Sequence, residues 1–312
     1  MLNIARRRER LRASKLRFSL AGSRYQFAAP SLKICATIPE ARAACRETRT
    51  NGKRLGLVPT MGALHEGHLS LVRAARARSD AVAVSIFVNP TQFGPTEDLA
   101  KYPRQFERDR RLLENEHVAI LFAPSIEEIY PDGEVAWVVV EGLSEKLDGR
   151  SRPGHFRGVT TIVAKLFHII EPSAAFFGQK DAAQLAVIRR MVQDLNFPVE
   201  VVACPIVREV DGLAMSSRNA YLTEEERGRA LVLQRSLQRA LQEFQAGERS
   251  AVRIISAAKE IFVREPKVVL DYFEIVGPCT LEPVERISQP ALVAVAALLG
   301  TTRLIDNIVL NP

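Results

Sequence analysis

Residues 81–88, Ala-Val-Ala-Val-Ser-Ile-Phe-Val, hold one polar side chain in eight positions. A strand formed there has no face to show to water, so it must sit inside a sheet covered on both sides, the usual setting of a parallel sheet. The residues before it supply the rest of the unit. Residues 54–58 (RLGLV) are a short apolar run, and residues 69–78 place Leu69, Val72 and Ala75 on one side of a helix. Strand, helix and strand within about thirty-five residues make a βαβ unit.

The alternation continues, with helices predicted over 106–116, 159–170 and 182–194 and strands at 119–122, 135–140, 174–177 and 199–203. The pattern defines a doubly wound α/β domain over residues 31–204. Past Cys204-Pro205 it changes. Residues 207–210 and 213–215 flank Asp211-Gly212, a tight-turn signal that predicts a hairpin. Helices at 224–245 and 250–263 and strands at 269–276, 292–299 and 304–310 complete a smaller α+β domain over 205–312. The longest apolar stretch, 291–300 (ALVAVAALLG), is about half the length of a membrane helix and reads as a buried strand. No membrane partner is expected.

The net charge of +7 invites a nucleic-acid reading, but residues 1–30 hold the whole excess. Arg6, Arg7, Arg8, Arg10, Arg12, Lys15, Arg17 and Arg24 stand there against Glu9 alone, and the remainder balances to neutrality. Without clustered cations the folded part is not expected to bind nucleic acid. The first thirty residues are predicted to be a disordered basic extension, with a targeting peptide, a basic arm or an upstream start codon as the other readings. Cys35, Cys45, Cys204 and Cys279 lie far apart with no C-x-x-C pair, which suits a reducing compartment.

Four stretches carry chemistry. Pro59-Thr-Met-Gly-Ala-Leu-His65-Glu-Gly-His68 lies between the first strand and first helix, where an α/β sheet binds ligands and free N–H groups favour phosphate. Its histidines are donors for charge on phosphate, or else surface residues; H-E-G-H lacks the four-residue spacing of a zinc helix. Asp211-Gly-Leu-Ala-Met215-Ser216-Ser217-Arg218 is either a solvent loop with a helix cap or a loop that closes on a triphosphate through two hydroxyls and a guanidinium. Phe177-Gly178-Gln179-Lys180-Asp181 follows a strand, with Asp181 a helix cap or a ribose acceptor. Val88-Asn89-Pro90-Thr91-Gln92-Phe93 is a turn whose amides suit a small polar substrate. The P-loop, dinucleotide and nucleophile-elbow patterns are missing.

Together these stretches resemble the pantothenate synthetase family, the pantoate–β-alanine ligases. The likeness runs in one order over nearly all of residues 32–312: VPTMGALHEGH, SIFVNPTQF, DLAKYPR, FAPSIEEIYP, SRPGHFRGV, FFGQKD, MSSRNAYL and RLIDN. It implies a Rossmann-like ATP-binding domain with a smaller C-terminal domain, in a cytoplasmic homodimer that uses ATP and Mg2+. It also implies a two-step ligation in which pantoate is adenylated, pyrophosphate leaves, and β-alanine displaces AMP to give pantothenate.

By the family pattern Met61, Gly62, Ala63, Leu64, His65, Glu66, Gly67 and His68 line the ATP site, with His65 and His68 on the phosphates and His68 the proton donor. Gly178, Gln179, Lys180 and Asp181 would hold ribose and phosphate. Val207 would lie at the adenine edge, and Met215, Ser216, Ser217 and Arg218 would close on the phosphates. Gln92 and Gln184 match pantoate binders, Gln92 also touching β-alanine, and Asn89 would help to form that pocket. The metal ligands are unknown; Asp109 reads as a metal contact or a solvated helical acid. The family commonly has G-E-K-D-x-Q-Q, so Gln179 and Ala183 are departures that bear on the pantoate pocket, and residues 1–30 have no counterpart. The alternative enzyme is a nucleotidyltransferase, which would keep AMP in its product.

Overall fold

The computed structural model describes residues 32–50, 52–95, 97–131 and 136–312. The predicted extension over 1–30, the domain start at residue 31 and the first residue of the 135–140 strand lie outside the described residues. Six parallel strands form the larger sheet: β1 (Lys33–Cys35), β2 (Leu55–Thr60), β3 (Ala81–Ile86), β4 (Ile120–Phe122), β5 (Ala174–Gly178) and β6 (Glu200–Cys204). Their spatial order is β1-β4-β3-β2-β5-β6. The fold is the Rossmann-like α/β arrangement, and the chain departs from β2 to one side and returns to its other side at β5. Such a reversal opens a crevice beyond the strand ends.

Helices α1 (Ile38–Thr50), α2 (Glu66–Arg78), α3 (Phe106–Asn115), α4 (Ile126–Ile129), α5 (Asp148–Ser151), α6 (His155–Ile170) and α7 (Ala182–Asp194) connect these strands. The β1 and α1 elements precede the predicted alternation. β1 is three residues long with only Cys35 buried, and α1 buries just Ala41, Ala44 and Cys45, so neither presents a strong apolar period. Helix α6 buries most of its surface, which suits its nearly all-round apolar sequence. Its Thr160 and Thr161 hydroxyls donate to the Phe156 and Arg157 carbonyls.

The strand predicted at 135–140 does not form over residues 136–140. There the Thr161 hydroxyl accepts the Val138 N–H and the Thr160 hydroxyl donates to the Val138 carbonyl, in place of a neighbouring strand. Trp137 and Val139 face solvent. The predicted hairpin at 207–215 shrinks to a single bridge between Arg208 and Ala214, closed by Gly212 at φ +94°.

Strands β7 (Val268–Val276), β8 (Ala291–Leu299) and β9 (Thr302–Leu310) make the second, antiparallel sheet, with α8 (Glu224–Gln245) and α9 (Ala251–Val263) before it. Strand β8 divides two cores. Leu292, Ala294 and Ala296 pack with the α6–α7 core, whereas Ala291, Val293, Val295 and Ala297 pack with α8 and α9. Its unbroken apolar sequence follows from that two-sided burial. The four cysteines are unpaired, three buried and Cys279 exposed. Among the described residues no helix is long and apolar enough to cross a membrane.

Candidate active site

After β2 the chain turns through Gly62 (φ +82°) and Ala63 (φ +50°) and enters α2 at His65. Ala63 is strained, since a side chain disfavours the left-handed region. Asp109 of α3 holds the turn: its carboxylate accepts the Ala63 N–H at 2.7 Å and the Leu64 N–H at 2.9 Å. Only 1% exposed, Asp109 is not the solvated helical acid that was one reading of the sequence. It is a buried brace.

The two histidines then cap α2. His65 Nδ1 accepts from the Gly67 N–H at 3.1 Å, and His68 Nδ1 accepts from the His65 N–H at 3.3 Å. A nitrogen that accepts carries no proton, so each neutral ring keeps its hydrogen on Nε2. That group is what both side chains offer to the cavity they line. Burial lowers the His68 pKa to about 3, helped by His65 and Lys180, and burial with Lys180 lowers that of His65 to about 4. In this neutral form His68 is placed to donate a hydrogen bond from Nε2.

The exit of β3 forms the opposite wall. The Asn89 amide donates to Gln92 Oε1 and to the Gly158 carbonyl, both at 3.1 Å, while its oxygen accepts from Thr91 at 2.9 Å and Tyr130 at 2.8 Å. With its hydrogen-bonding capacity engaged by the protein, Asn89 acts by orienting Gln92. The Gln92 carbonyl is held from behind by His155 Nδ1 at 2.8 Å and by Arg152, which also pairs with Glu97. Gly158 allows α6 to approach this turn, because a Cβ there would stand 2.4 Å from the Thr91 oxygen.

Beyond β5, Lys180, Asp181 and Gln184 face the cavity. Asp181 occupies the position before α7 but makes no side-chain cap bond, so it is not the helix cap that the sequence also allowed. Ala183 is buried in the core and points to no substrate wall. Gln179 turns towards Asn307 instead. Across the cavity Ser216 does cap the short turn Ser217–Tyr221, and Arg218 forks onto Asp98 with two contacts of 2.9 Å. Ser217 reaches the Ala63 carbonyl at 3.3 Å.

The structure thus gathers Met61, His65, Gly67, His68, Asn89, Gln92, Gly178, Lys180, Asp181, Gln184, Val207, Met215, Ser216, Ser217 and Arg218 around one cavity of about 220 Å³. A second, of about 780 Å³, adjoins it along Lys180, Asp181, Gln184, Ser216 and Arg218. Gly62, Ala63, Leu64, Glu66 and Gln179 do not line the first cavity. Leu64 is core, and Glu66 faces outward to Arg73. Arg152, His155 and Asn307 were not assigned as binding residues, because their contacts come from distant parts of the chain.

Fold and site together define a Rossmann-like α/β enzyme with hydrogen-bond donors concentrated at the sheet's reversal. The family model for pantoate-beta-alanine ligase matches residues 33–309. The chain belongs to that family. The pantothenate synthetase of Koribacter versatilis (strain Ellin345) is 59% identical over 280 residues, spanning 90% of this chain and 96% of the relative. The crystal structure of pantothenate synthetase from Thermus thermophilus superposes with a TM-score of 0.86 at 47% identity, covering 90% of this chain and all of that one. The pantoate-beta-alanine ligase of Francisella tularensis, solved in complex with beta-gamma ATP and beta-alanine, gives 0.72 at 32% identity over 89% of this chain and 97% of its own.

Proposed function

We propose that this ligase joins pantoate to β-alanine in two steps driven by ATP. In the first, a pantoate carboxylate oxygen bonds to the α-phosphorus while the bond from that phosphorus to pyrophosphate breaks. In the second, the β-alanine nitrogen bonds to the acyl carbon, AMP leaves with the bonding electrons, and the amine proton passes to solvent. The observation that carries this reading is the convergence of two neutral imidazole donors and Lys180 on a cavity that Gln92 and Gln184 also line. Charge building at a five-coordinate phosphorus needs fixed donors in place before the reaction. His65 and His68 supply Nε2–H, Lys180 supplies positive charge, and Gln92 is held ready for the small polar acid.

No group of three or more His, Cys, Asp or Glu side chains is set to hold a metal among the described residues. Asp181 is the carboxylate that lines the cavity. The donor set fits a magnesium ion that arrives on the nucleotide, which keeps most of its ligands from phosphate and water. Asp181 would hold such an ion, and its chemistry would be to neutralise phosphate charge.

In the same proposal residues 31–204 bind nucleotide and pantoate, residues 205–312 supply the closing loop, and the enzyme works as a cytoplasmic homodimer. The test is isotope exchange. Pantoate alone should support exchange of pyrophosphate into ATP, and AMP should form only when β-alanine is added. Exchange that requires β-alanine would overturn the order of steps, and AMP retained in the product would favour a nucleotidyltransferase.

A further inference from the structure

We infer that Asp306 and Asn307, neighbours on β9, are positioning residues that set the spacing between the two nucleotide-facing loops; this rests on the nucleotide reading above. Both are almost fully buried, at 3% and 2% exposure, and neither lines the first cavity. Adjacent residues on a strand point to opposite sides, and here each side holds one loop. The Asn307 amide nitrogen donates to the Gln179 carbonyl and to the Lys180 carbonyl, both at 2.9 Å. These bonds fix the backbone from which the Lys180 side chain enters the cavity.

On the other side, Asp306 accepts the two arms of Arg208 at 2.6 and 2.9 Å. Arg208 also donates to the Gly212 carbonyl at 3.1 Å and bridges to Ala214. It therefore anchors the turn whose two ends, Val207 and Met215, are hydrogen-bonded to each other and line the cavity. The pair is locked internally, because Asp306 Oδ1 accepts the Asn307 N–H at 2.8 Å. A rigid strand thus ties both loops to one ruler. Buried, bidentate and fully satisfied contacts of this kind fix geometry more than they add stability.

The consequence is a separation of kinetic effects. Asn307→Asp keeps the shape but turns a donor into an acceptor facing two carbonyls, so the Lys180 loop should move away. The affinity for ATP, read by calorimetric titration without other substrates, should weaken more than tenfold, and the KM for ATP should rise in parallel. The kcat for adenylation should fall as well, because Lys180 faces the charge that builds at phosphorus, whereas the KM for β-alanine should stay within about threefold, a change under half of the tenfold step on a logarithmic scale. Asn307→Ser, too short to reach both carbonyls, serves if the aspartate variant does not fold, and Asp306→Asn tests the other side. A lowered melting temperature with unaltered ATP affinity in the folded variants would mean a purely structural role and overturn the inference. If the unaltered chain fails to bind ATP, the nucleotide reading falls and the inference falls with it.

Discussion

His65 and His68 each spend one ring nitrogen on the backbone of α2, and this decides what the other can do. An imidazole that must accept at Nδ1 cannot take a second proton without losing that bond. We therefore expect kcat for pyrophosphate exchange to show no inflection near pH 6.5, the ordinary histidine value. A rate that rises as pH falls through that value would instead assign His68 the proton-donor role. Stability carries the matching sign. The folded rings titrate at about 4 and about 3, so below pH ~6.5 the unfolded chain binds protons that the folded chain refuses. Their contribution is complete above that pH and is lost as pH falls from there, down to about 4 for His65 and about 3 for His68. Replacing the His68 donor, His68→Ala, should slow adenylation on the order of 10²–10³, as removal of an oxyanion donor does. Near-normal turnover in a folded variant would leave His68 a helix cap only. The H-x-G-H pattern was legible in the sequence because strand, glycine turn and helix start are local features. The protonated nitrogen was not, since its partner is a backbone group known only once the turn is folded.

Helix α3 and helix α6 show what an element contributes to a site it does not face. Asp109 sits in a polar stretch, Arg108-Asp109-Arg110-Arg111, and nothing in that spacing separates a buried acid from a solvated one. Its burial follows from the reach of α3 to the strained turn at Ala63. Asp109→Ala should cost about 1–3 kcal/mol by leaving two N–H groups unpaired, and should raise the KM for ATP by displacing His65. Chemical denaturation and initial rates would read the two effects, and unchanged values in both would remove the brace. Gly158→Ala makes the converse case. The added methyl meets the Thr91 carbonyl and the Gln92 nitrogen at 2.4 and 2.6 Å, so the turn bearing Gln92 must shift. The KM for pantoate should rise while that for ATP holds; equal KM values for pantoate in both proteins would show that the turn yields without moving Gln92. Long apolar elements such as β3, α6 and β8 were readable from sequence because burial writes itself into every position. Residues 136–140 misled because β-branched and aromatic side chains report strand propensity without reporting a partner.

At the scale of the whole molecule, the charge is as uneven as the chemistry. Residues 1–30 carry all of the net +7, while the family match begins at residue 33 and every cavity-lining residue lies at Pro59 or beyond. The segment 31–312 forms one compact unit with its own internal contacts. A chain shortened to residues 31–312 should therefore keep kcat and all three KM values within about twofold, far below the tenfold that 1.36 kcal/mol produces. It should also lose retention on an anionic column, because the remaining charges cancel. The physical alternative is specific. Arg6 to Arg12 present five guanidinium groups in seven positions, enough to draw a triphosphate towards the cavity by long-range attraction. In that case the shortened chain would show a raised KM for ATP at low salt, and the gap would close as salt screens the full-length enzyme, since the Debye length falls from about 30 Å at 0.01 M to about 10 Å at 0.1 M. Measuring the KM for ATP of both chains across that range distinguishes a bystander from a steering arm: parallel lines support the first, and convergence at high salt refutes it.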